Sequence, residues 1–289
     1  MRFGAIDIGS NAVRLHVCEV VRENNRIHLE RLFSHRFTIR LGKDVFNFGK
    51  ISPEKTSELE EAIRTLNTFA HEWNIDGLRA VGTSAFRDAN NGKAVVDEIH
   101  LSTGVHIDII SGEEEAKLIR TGILSLVETK NDSAIMMDVG GGSTEISTVF
   151  DGEDGPTHSF NAGTVRILAN GFTQDLRDEM STWVNQYIPK DRAYTVFATG
   201  GNIRRIHKLL GNTEYEPLSL EALRQLREEM NALSLEQRME TFDLNAERAD
   251  VIVPAMDLFL ELLKNMPCAE IYVPEITLSD GVACALFLH

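Results

Sequence analysis

Two stretches of this sequence set a carboxylate beside glycines and hydroxyl or amide side chains, each directly after an apolar run. The first is Asp7-Ile8-Gly9-Ser10-Asn11, after Phe3 to Ile6; the second is Asp138-Val139-Gly140-Gly141-Gly142-Ser143-Thr144-Glu145, after Ala134 to Met137. Glycine has no Cβ, so it takes positive φ readily and lets a phosphate approach main-chain N–H dipoles. Ser10, Asn11, Ser143 and Thr144 add side-chain donors. An aspartate repels phosphate, and its natural partner is a divalent cation held through oxygen, often through water. Read alone, either stretch is a Gly-rich hairpin turn with a solvated Asp. Their recurrence points instead to a duplicated unit with a phosphate ligand clamped between its halves. Thr199-Gly200-Gly201-Asn202 is a third candidate phosphate contact, where a helix N-terminus would add its positive dipole end. Tight strand-to-helix packing explains that glycine pair equally well.

The elements that must carry these loops alternate. Phe3 to Ile8, Val13 to Val21 and Arg26 to Phe37 read as antiparallel strands joined by short turns. Ser52 is a helix N-cap with Pro53 at the first position, and Leu59, Ile63, Leu66, Ala70 and Trp73 follow at helical spacing. Leu78 to Val81 and Ile107 to Ile110, with a helix bearing Val95, Val96 and Ile99 between them, form a βαβ unit whose strands run parallel. The second half repeats the plan: strands at Ala134 to Asp138, Thr144 to Phe150, Pro156 to Phe160, Tyr194 to Ala198 and Glu270 to Pro274. Its helices read at Val165 to Phe172, Leu176 to Tyr187, Leu218 to Leu233 and Ala246 to Leu263, and Leu278 to Leu288 closes the chain. No Pro/Ser/Gly-rich linker divides the halves, and the pattern puts the boundary near Leu118.

Composition fits two ordinary cores, with 289 residues, 43% hydrophobic and 25% charged. No apolar run is long enough to cross a bilayer, and the start carries no signal-peptide pattern, so a cytoplasmic location is expected. Three cysteines without CxxC spacing indicate reduced thiols rather than disulfides or a zinc site. The net charge of −15 opposes binding of an anion. Screening over roughly 8–10 Å makes local cations count for more than that sum. Arg14, Arg40, Lys43, Arg87, Arg166, Arg204, Arg205 and Lys208 all lie in or beside the Gly-containing segments. Without a long basic stripe interleaved with aromatics, duplex nucleic acid is not the expected partner.

Four motifs carry a family resemblance: Ala5 to Leu15, Gly82-Thr83-Ser84-Ala85-Phe86-Arg87-Asp88-Ala89 with Asn91, Ile109-Ile110-Ser111-Gly112-Glu113-Glu114-Glu115-Ala116, and Asp138 to Glu145. Arg40-Leu41-Gly42, Gly163-Thr164-Val165-Arg166, Thr199-Gly200-Gly201 and Arg248-Ala249-Asp250 are shorter echoes. The chain resembles the exopolyphosphatase and guanosine pentaphosphate phosphohydrolase (Ppx/GppA) family of the actin-like and sugar-kinase superfamily. The resemblance implies an α/β fold of two ribonuclease-H-like (actin-like ATPase) domains flanking a central cleft. The first domain would span 1–118, with helix 277–289 packing back on it, and the second 119–276.

The resemblance also implies roles. Glu115 would be the general base that draws a proton from the attacking water; partly buried beside other carboxylates, it would hold a proton more readily. Arg87, with Thr83, would take the outer phosphate oxygens, because a guanidinium fork matches two of them. Asp7, Asp138 and Glu145 would hold Mg²⁺, directly or through water. Gly9, Ser10, Asn11, Gly140, Gly141, Gly142, Ser143, Thr144, Gly200 and Gly201 would cradle the phosphates. On its own, the Ser111 to Glu115 stretch reads as a capped helix start, with Glu114 closing a capping box on Ser111.

The implied reaction is Mg²⁺-dependent release of terminal orthophosphate from inorganic polyphosphate or guanosine pentaphosphate. The alternatives are a non-enzymatic nucleotide sensor and a small-molecule kinase of the same superfamily. The chain resembles the short form of the family, lacking the C-terminal helical domain with His-Asp motifs. A homodimer would be its route to a longer polyphosphate groove.

Overall fold

A computed structural model describes residues 1–24, 26–128, 133–213 and 216–289, without the side chain of Ala269. The chain divides into two compact units, 1–128 with 276–289, and 129–275. The boundary expected near Leu118 falls inside a helix, Gly112–Leu126, which runs unbroken because Ala116, Leu118, Ile119 and Ile123 bury one continuous apolar face.

In the first unit, β1 (Arg2–Ile8), β2 (Ala12–Glu23) and β3 (Arg26–Thr38) form an antiparallel meander; α1 (Leu41–Phe48) and α2 (Pro53–Glu72) follow. Then come β4 (Gly77–Gly82), α3 (Ser84–Asp88), α4 (Gly92–Thr103), β5 (Ile107–Ile109) and α5 (Gly112–Leu126). The sheet order is β3-β2-β1-β4-β5, with β1, β4 and β5 parallel as the βαβ pattern requires. Ser52 caps α2 by accepting from the Lys55 N–H at 3.3 Å. Its inward face, Leu59, Ile63, Leu66 and Ala70, is fully buried in the core with Ile6, Ile8 and Leu15, at about 1.5–3 kcal/mol for each large aliphatic side chain.

The second unit repeats the topology. β6 (Ala134–Val139), β7 (Thr144–Phe150) and β8 (Glu153–Phe160) form its meander, followed by α6 (Thr164–Asn170), α7 (Gln174–Tyr187), β9 (Tyr194–Thr199) and α8 (Gly201–Leu209). After α9 (Leu220–Asn231), α10 (Leu235–Phe242), α11 (Ala246–Ala249) and α12 (Ile252–Leu263), β10 (Cys268–Tyr272) completes the order β10-β9-β6-β7-β8. The helix expected over 246–263 is two helices. Pro254 cannot donate within a helix interior, so the chain restarts at Ile252 and places it in the first turn, where no donor is needed.

α13 (Leu278–Leu288) belongs to the first unit. A Cβ on its Gly281 would stand 2.1 Å from the Leu118 carbonyl oxygen, and one on Gly122 would stand 3.1 Å from the Gly281 Cα, so α13 and α5 cross backbone to backbone. At its N-terminus a capping box is buried: Asp280 accepts from the Thr277 N–H at 2.8 Å and from its hydroxyl at 2.7 Å. The same carboxylate accepts from Arg31 Nη2 at 2.8 Å and from His16 Nδ1 at 3.3 Å, tying α13 to β2 and β3. Cys18 and Cys284 are buried nearby as free thiols, pushed up to about 12 by burial and therefore unreactive. No described helix is long and apolar enough to cross a membrane.

Burial opposes charge on Asp280, but the His16 and Thr277 hydrogen bonds and the Arg31 charge outweigh it and bring the carboxyl down to about 2. Burial also lowers His16, more than its contact with Asp280 raises it, so the ring is neutral at pH 7. Both shifts act in one direction: protons bind the unfolded chain more readily, so acid removes stability. The Asp280 share is complete above its ordinary value near 4 and is lost as pH falls toward about 2. Asp280→Ala should cost about 3 kcal/mol at pH 7 and flatten the acid limb of a urea-midpoint profile; an acid limb identical to wild type would contradict this.

Candidate active site

Each unit carries a candidate phosphate loop, built the same way. In the first unit β1 ends and the Gly9 N–H closes a tight turn on the Ala12 carbonyl at 2.9 Å. Asp7 is half-buried at the strand end, opposite Arg14 on β2. The carbonyls of Ser10 and Asn11 accept from the Gly42 and Arg40 N–H groups at 2.8 and 3.0 Å, so the turn is pinned against the start of α1. Glycine at 42 permits this approach, since a Cβ there would stand 2.9 Å from the Ser10 Cβ. Ser10 Oγ and Ser84 Oγ lie 2.8 Å apart in the interior, and Asn11 Oδ1 is a buried acceptor with no hydrogen-bond partner.

The loop of the second unit follows β6. The Gly140 N–H closes on the Ser143 carbonyl at 3.0 Å. The first turn of α6 takes the loop carbonyls: Thr164 N–H donates to Gly140 O at 3.1 Å, and Val165 and Arg166 N–H to Gly141 O at 2.7 and 3.1 Å. Arg166 Nε donates to Gly142 O at 2.6 Å. In a trans peptide the C=O and the following N–H point opposite ways. Drawing three consecutive carbonyls toward α6 therefore turns the N–H groups of Gly141, Gly142 and Ser143 to the other side, a concave set of dipoles suited to an anion. Glycine is needed here for close approach. None of Gly9, Gly140, Gly141 and Gly142 has a positive φ, contrary to the conformational reading of the sequence; of the glycines expected to cradle phosphate, Gly200 has one, at φ 113.

Asp138 and Glu145 are direct cross-strand partners on β6 and β7, so two carboxylates share one face. Each takes a hydroxyl donor: Thr199 Oγ1 to Asp138 at 2.5 Å and Ser159 Oγ to Glu145 at 2.7 Å. Glu145 is 1% exposed. Thr144, wholly buried, donates its hydroxyl to the Ala162 carbonyl, which fixes the loop from below. A Cβ on Gly200 would stand 2.8 Å from Val139 O, so that glycine packs the start of α8 onto the end of β6. Gly201 O accepts from Arg248 Nη1 at 2.9 Å.

Back in the first unit, Arg87 and Glu115 meet. Arg87 Nη1 donates to Glu115 Oε2 at 2.9 Å and to the Ile110 carbonyl at 3.0 Å. Glu115 is 7% exposed, at the start of α5. Its neighbour here is a cation, where the sequence reading placed carboxylates. Ser111 caps α5 by accepting from the Glu114 N–H at 3.1 Å, but Glu114 does not close a capping box; its carboxylate accepts from Arg79 Nη2 at 2.8 Å. Arg79 also holds Asp108 at 3.0 Å, so β4, β5 and the first turn of α5 are bound together beside Glu115. Thr83, 4% exposed, turns its hydroxyl toward the Ile8 carbonyl at 3.4 Å. Asn91, in the same motif, is structural: its amide bonds both the N–H and the carbonyl of Ile51 at 2.9 Å.

The sequence gives no site role to Ser84 or Ser159; it marks Thr199 only as part of a candidate phosphate contact and Gly163 only as part of a short family echo. Ser159 shows only in the strand register.

The two sheets share one topology, and in both a carboxylate and a turn of small polar residues stand at the same strand end; this is the architecture of the actin-like two-domain proteins. The chain belongs to the Ppx/GppA phosphatase family, whose model matches residues 20–288. It is 28% identical over 273 residues to exopolyphosphatase 1 of Mycobacterium tuberculosis, covering 88% of this chain and 78% of that one. With exopolyphosphatase 2 of the same organism it shares 26% identity over 317 aligned positions, covering 99% and 98%. The crystal structure of an exopolyphosphatase from Cytophaga hutchinsonii has the same fold, with a TM-score of 0.81 at 24% identity over 99% of this chain and 97% of that one. The Ppx/GppA family member of Aquifex aeolicus superposes with a TM-score of 0.79 at 20% identity over 100% and 98%.

Gly163 gives a direct test of the loop geometry. An added Cβ would lie 2.3 Å from the Gly142 nitrogen and 2.4 Å from the Gly141 carbonyl carbon. Gly163→Ala should therefore displace the second loop and cost about 1–3 kcal/mol in denaturant unfolding; unaltered stability would contradict the packing described.

Proposed function

We propose that this protein is a Mg²⁺-dependent phosphohydrolase that releases the terminal orthophosphate of inorganic polyphosphate or guanosine pentaphosphate. The observation that carries the reading is the Arg87–Glu115 pair. A buried carboxylate held by a guanidinium is an oriented proton acceptor, and phosphoryl transfer to water requires one. The water oxygen attacks the terminal phosphorus in line, Glu115 takes the proton, and the bridging P–O bond breaks to leave a chain one phosphate shorter. Arg87 fixes the Glu115 carboxylate and offers its guanidinium to the equatorial oxygens. Main-chain N–H groups at Ser10 and Asn11 and at Gly141 to Ser143 would take phosphate oxygens, as would those of Gly200 and Gly201, while the N–H groups of Gly9 and Gly140 close the turns. The relatives named exopolyphosphatase support the substrate class.

The donor chemistry fits magnesium. Asp7, Asp138 and Glu145 offer hard oxygens, and the buried Asn11 Oδ1 is an acceptor that suits a metal-bound water. Among the described residues no three His, Cys, Asp or Glu side chains converge on one point, so the protein would supply one or two carboxylates and leave the remaining positions to water and phosphate. When bound, the ion would neutralise charge developing on the phosphate oxygens.

Phosphate release should be measured with Mg²⁺ and with excess EDTA on short polyphosphate, long polyphosphate, guanosine pentaphosphate and ATP. Glu115→Gln should lower kcat by about a hundredfold or more with little change in KM; full activity in that variant would remove Glu115 from the mechanism. ATP-dependent phosphorylation of an organic acceptor would replace the reading with a kinase, and tight nucleotide binding without turnover would replace it with a sensor.

A further inference from the structure

Three consecutive glutamates, Glu113, Glu114 and Glu115, occupy the first turn of α5. The positive end of the helix dipole favours acidic side chains there, but three in one turn also repel one another. The fold treats each differently. Glu113 is exposed, Glu114 is half-buried and Glu115 is buried. The two inner carboxylates each meet an arginine: Arg79 Nη2 donates to Glu114 Oε1 at 2.8 Å, and Arg87 Nη1 donates to Glu115 Oε2 at 2.9 Å. Both arginines come from one stretch of chain, Arg79 from β4 and Arg87 from the last turn of α3.

The two pairs differ in what else they do. In the phosphohydrolase reading Arg87 also serves the phosphate oxygens, so its hold on Glu115 is shared once substrate is bound. Arg79 is engaged within the protein on both sides, because its Nε donates to Asp108 on β5 at 3.0 Å. This bridge adds little to stability: the side chains of Arg79, Asp108 and Glu114 are 26%, 38% and 44% exposed, and solvent screens such pairs. What it fixes is direction. Neighbouring residues of an α-helix point about 100° apart around one axis, with side-chain ends roughly 6 Å from it. Locking Glu114 against β4 and β5 therefore sets where Glu115 points. A rotation of the turn by about 10° would carry the Glu115 carboxylate about 1 Å out of line.

We propose that Arg79 is a positioning residue for the reaction: through Glu114 it fixes the rotation of the first turn of α5, which keeps Glu115 aimed at the attacking water while Arg87 is shared with the phosphate. This rests on the phosphohydrolase reading and adds to it a residue outside the phosphate loops. A misplaced base slows the chemical step and leaves substrate binding alone.

Steady-state release of orthophosphate from tripolyphosphate and Mg²⁺, measured well below the thermal midpoint of every variant, tests this. Arg79→Met should lower kcat about tenfold, the scale of a modest misalignment, with KM within about twofold of wild type. Arg79→Lys should recover part of the loss, and Glu114→Ala should lower kcat as Arg79→Met does. Since both act through one contact, the double variant should be no slower than either single one. A wild-type kcat in Arg79→Met, a loss expressed in KM, or losses that multiply in the double variant would each overturn the proposal. Amide hydrogen exchange gives a second reading that needs no turnover. The N–H groups of Glu114 and Glu115, bonded to Ser111 at 3.1 and 2.9 Å, should exchange about tenfold faster in Arg79→Met. If wild type hydrolyses no polyphosphate or nucleotide, the phosphohydrolase reading fails; faster exchange then still supports the hold of Arg79 on this turn, and unchanged exchange overturns it.

Discussion

One constraint governs both halves of this molecule. A buried strand of a mixed sheet carries a carboxylate at its end, turns through a tight hairpin closed by a single main-chain bond, and gives its loop carbonyls to the N–H groups of a later segment. In the first unit that segment is the start of α1, and in the second it is the start of α6. Peptide geometry then leaves the loop N–H groups on the side opposite those carbonyls. The glycines follow from this arrangement. They are required where another backbone comes within a Cβ's reach, as at Gly42, Gly163 and Gly200.

Support for Glu115 comes from far away in the chain. Glu115 sits on the first turn of α5, and α5 is held along its length by α13 through the Gly122 and Gly281 contact. α13 is in turn anchored to β2 and β3 by the buried Asp280 carboxylate, which His16, Arg31 and Thr277 together satisfy. A charge this deep would be costly if any partner were missing. Helix α13 thus supports a side chain more than 150 positions earlier in the sequence.

The sequence makes the strands legible because their apolar runs and turn residues are unambiguous. It also reveals α2, through Ser52 and Pro53. It hides α1, because a glycine in the first turn and an arginine cap resemble a loop. α10 escapes for a different reason: it buries no residue fully, so only its capping box at Ser234 and Gln237 marks it. Asp7, Asp138, Arg87 and Glu115 are legible as residues, but their pairings are not. That Glu115 faces Arg87, that Glu145 stands opposite Asp138, and that Thr83 turns toward a main-chain carbonyl all depend on strand register and helix rotation. Asp280 is visible only as part of a cap, since its partners lie about 250 residues away and come from two strands.

The central claim is attack by water on a terminal phosphorus. The most direct measurement is a limited-turnover reaction of tripolyphosphate and Mg²⁺ in ¹⁸O-labelled water, with the isotopic mass of both products read by mass spectrometry. The account predicts one ¹⁸O in each orthophosphate released and none in the pyrophosphate left behind. Label in the shortened chain, or phosphoryl groups recovered on an organic acceptor without labelled orthophosphate, would contradict it.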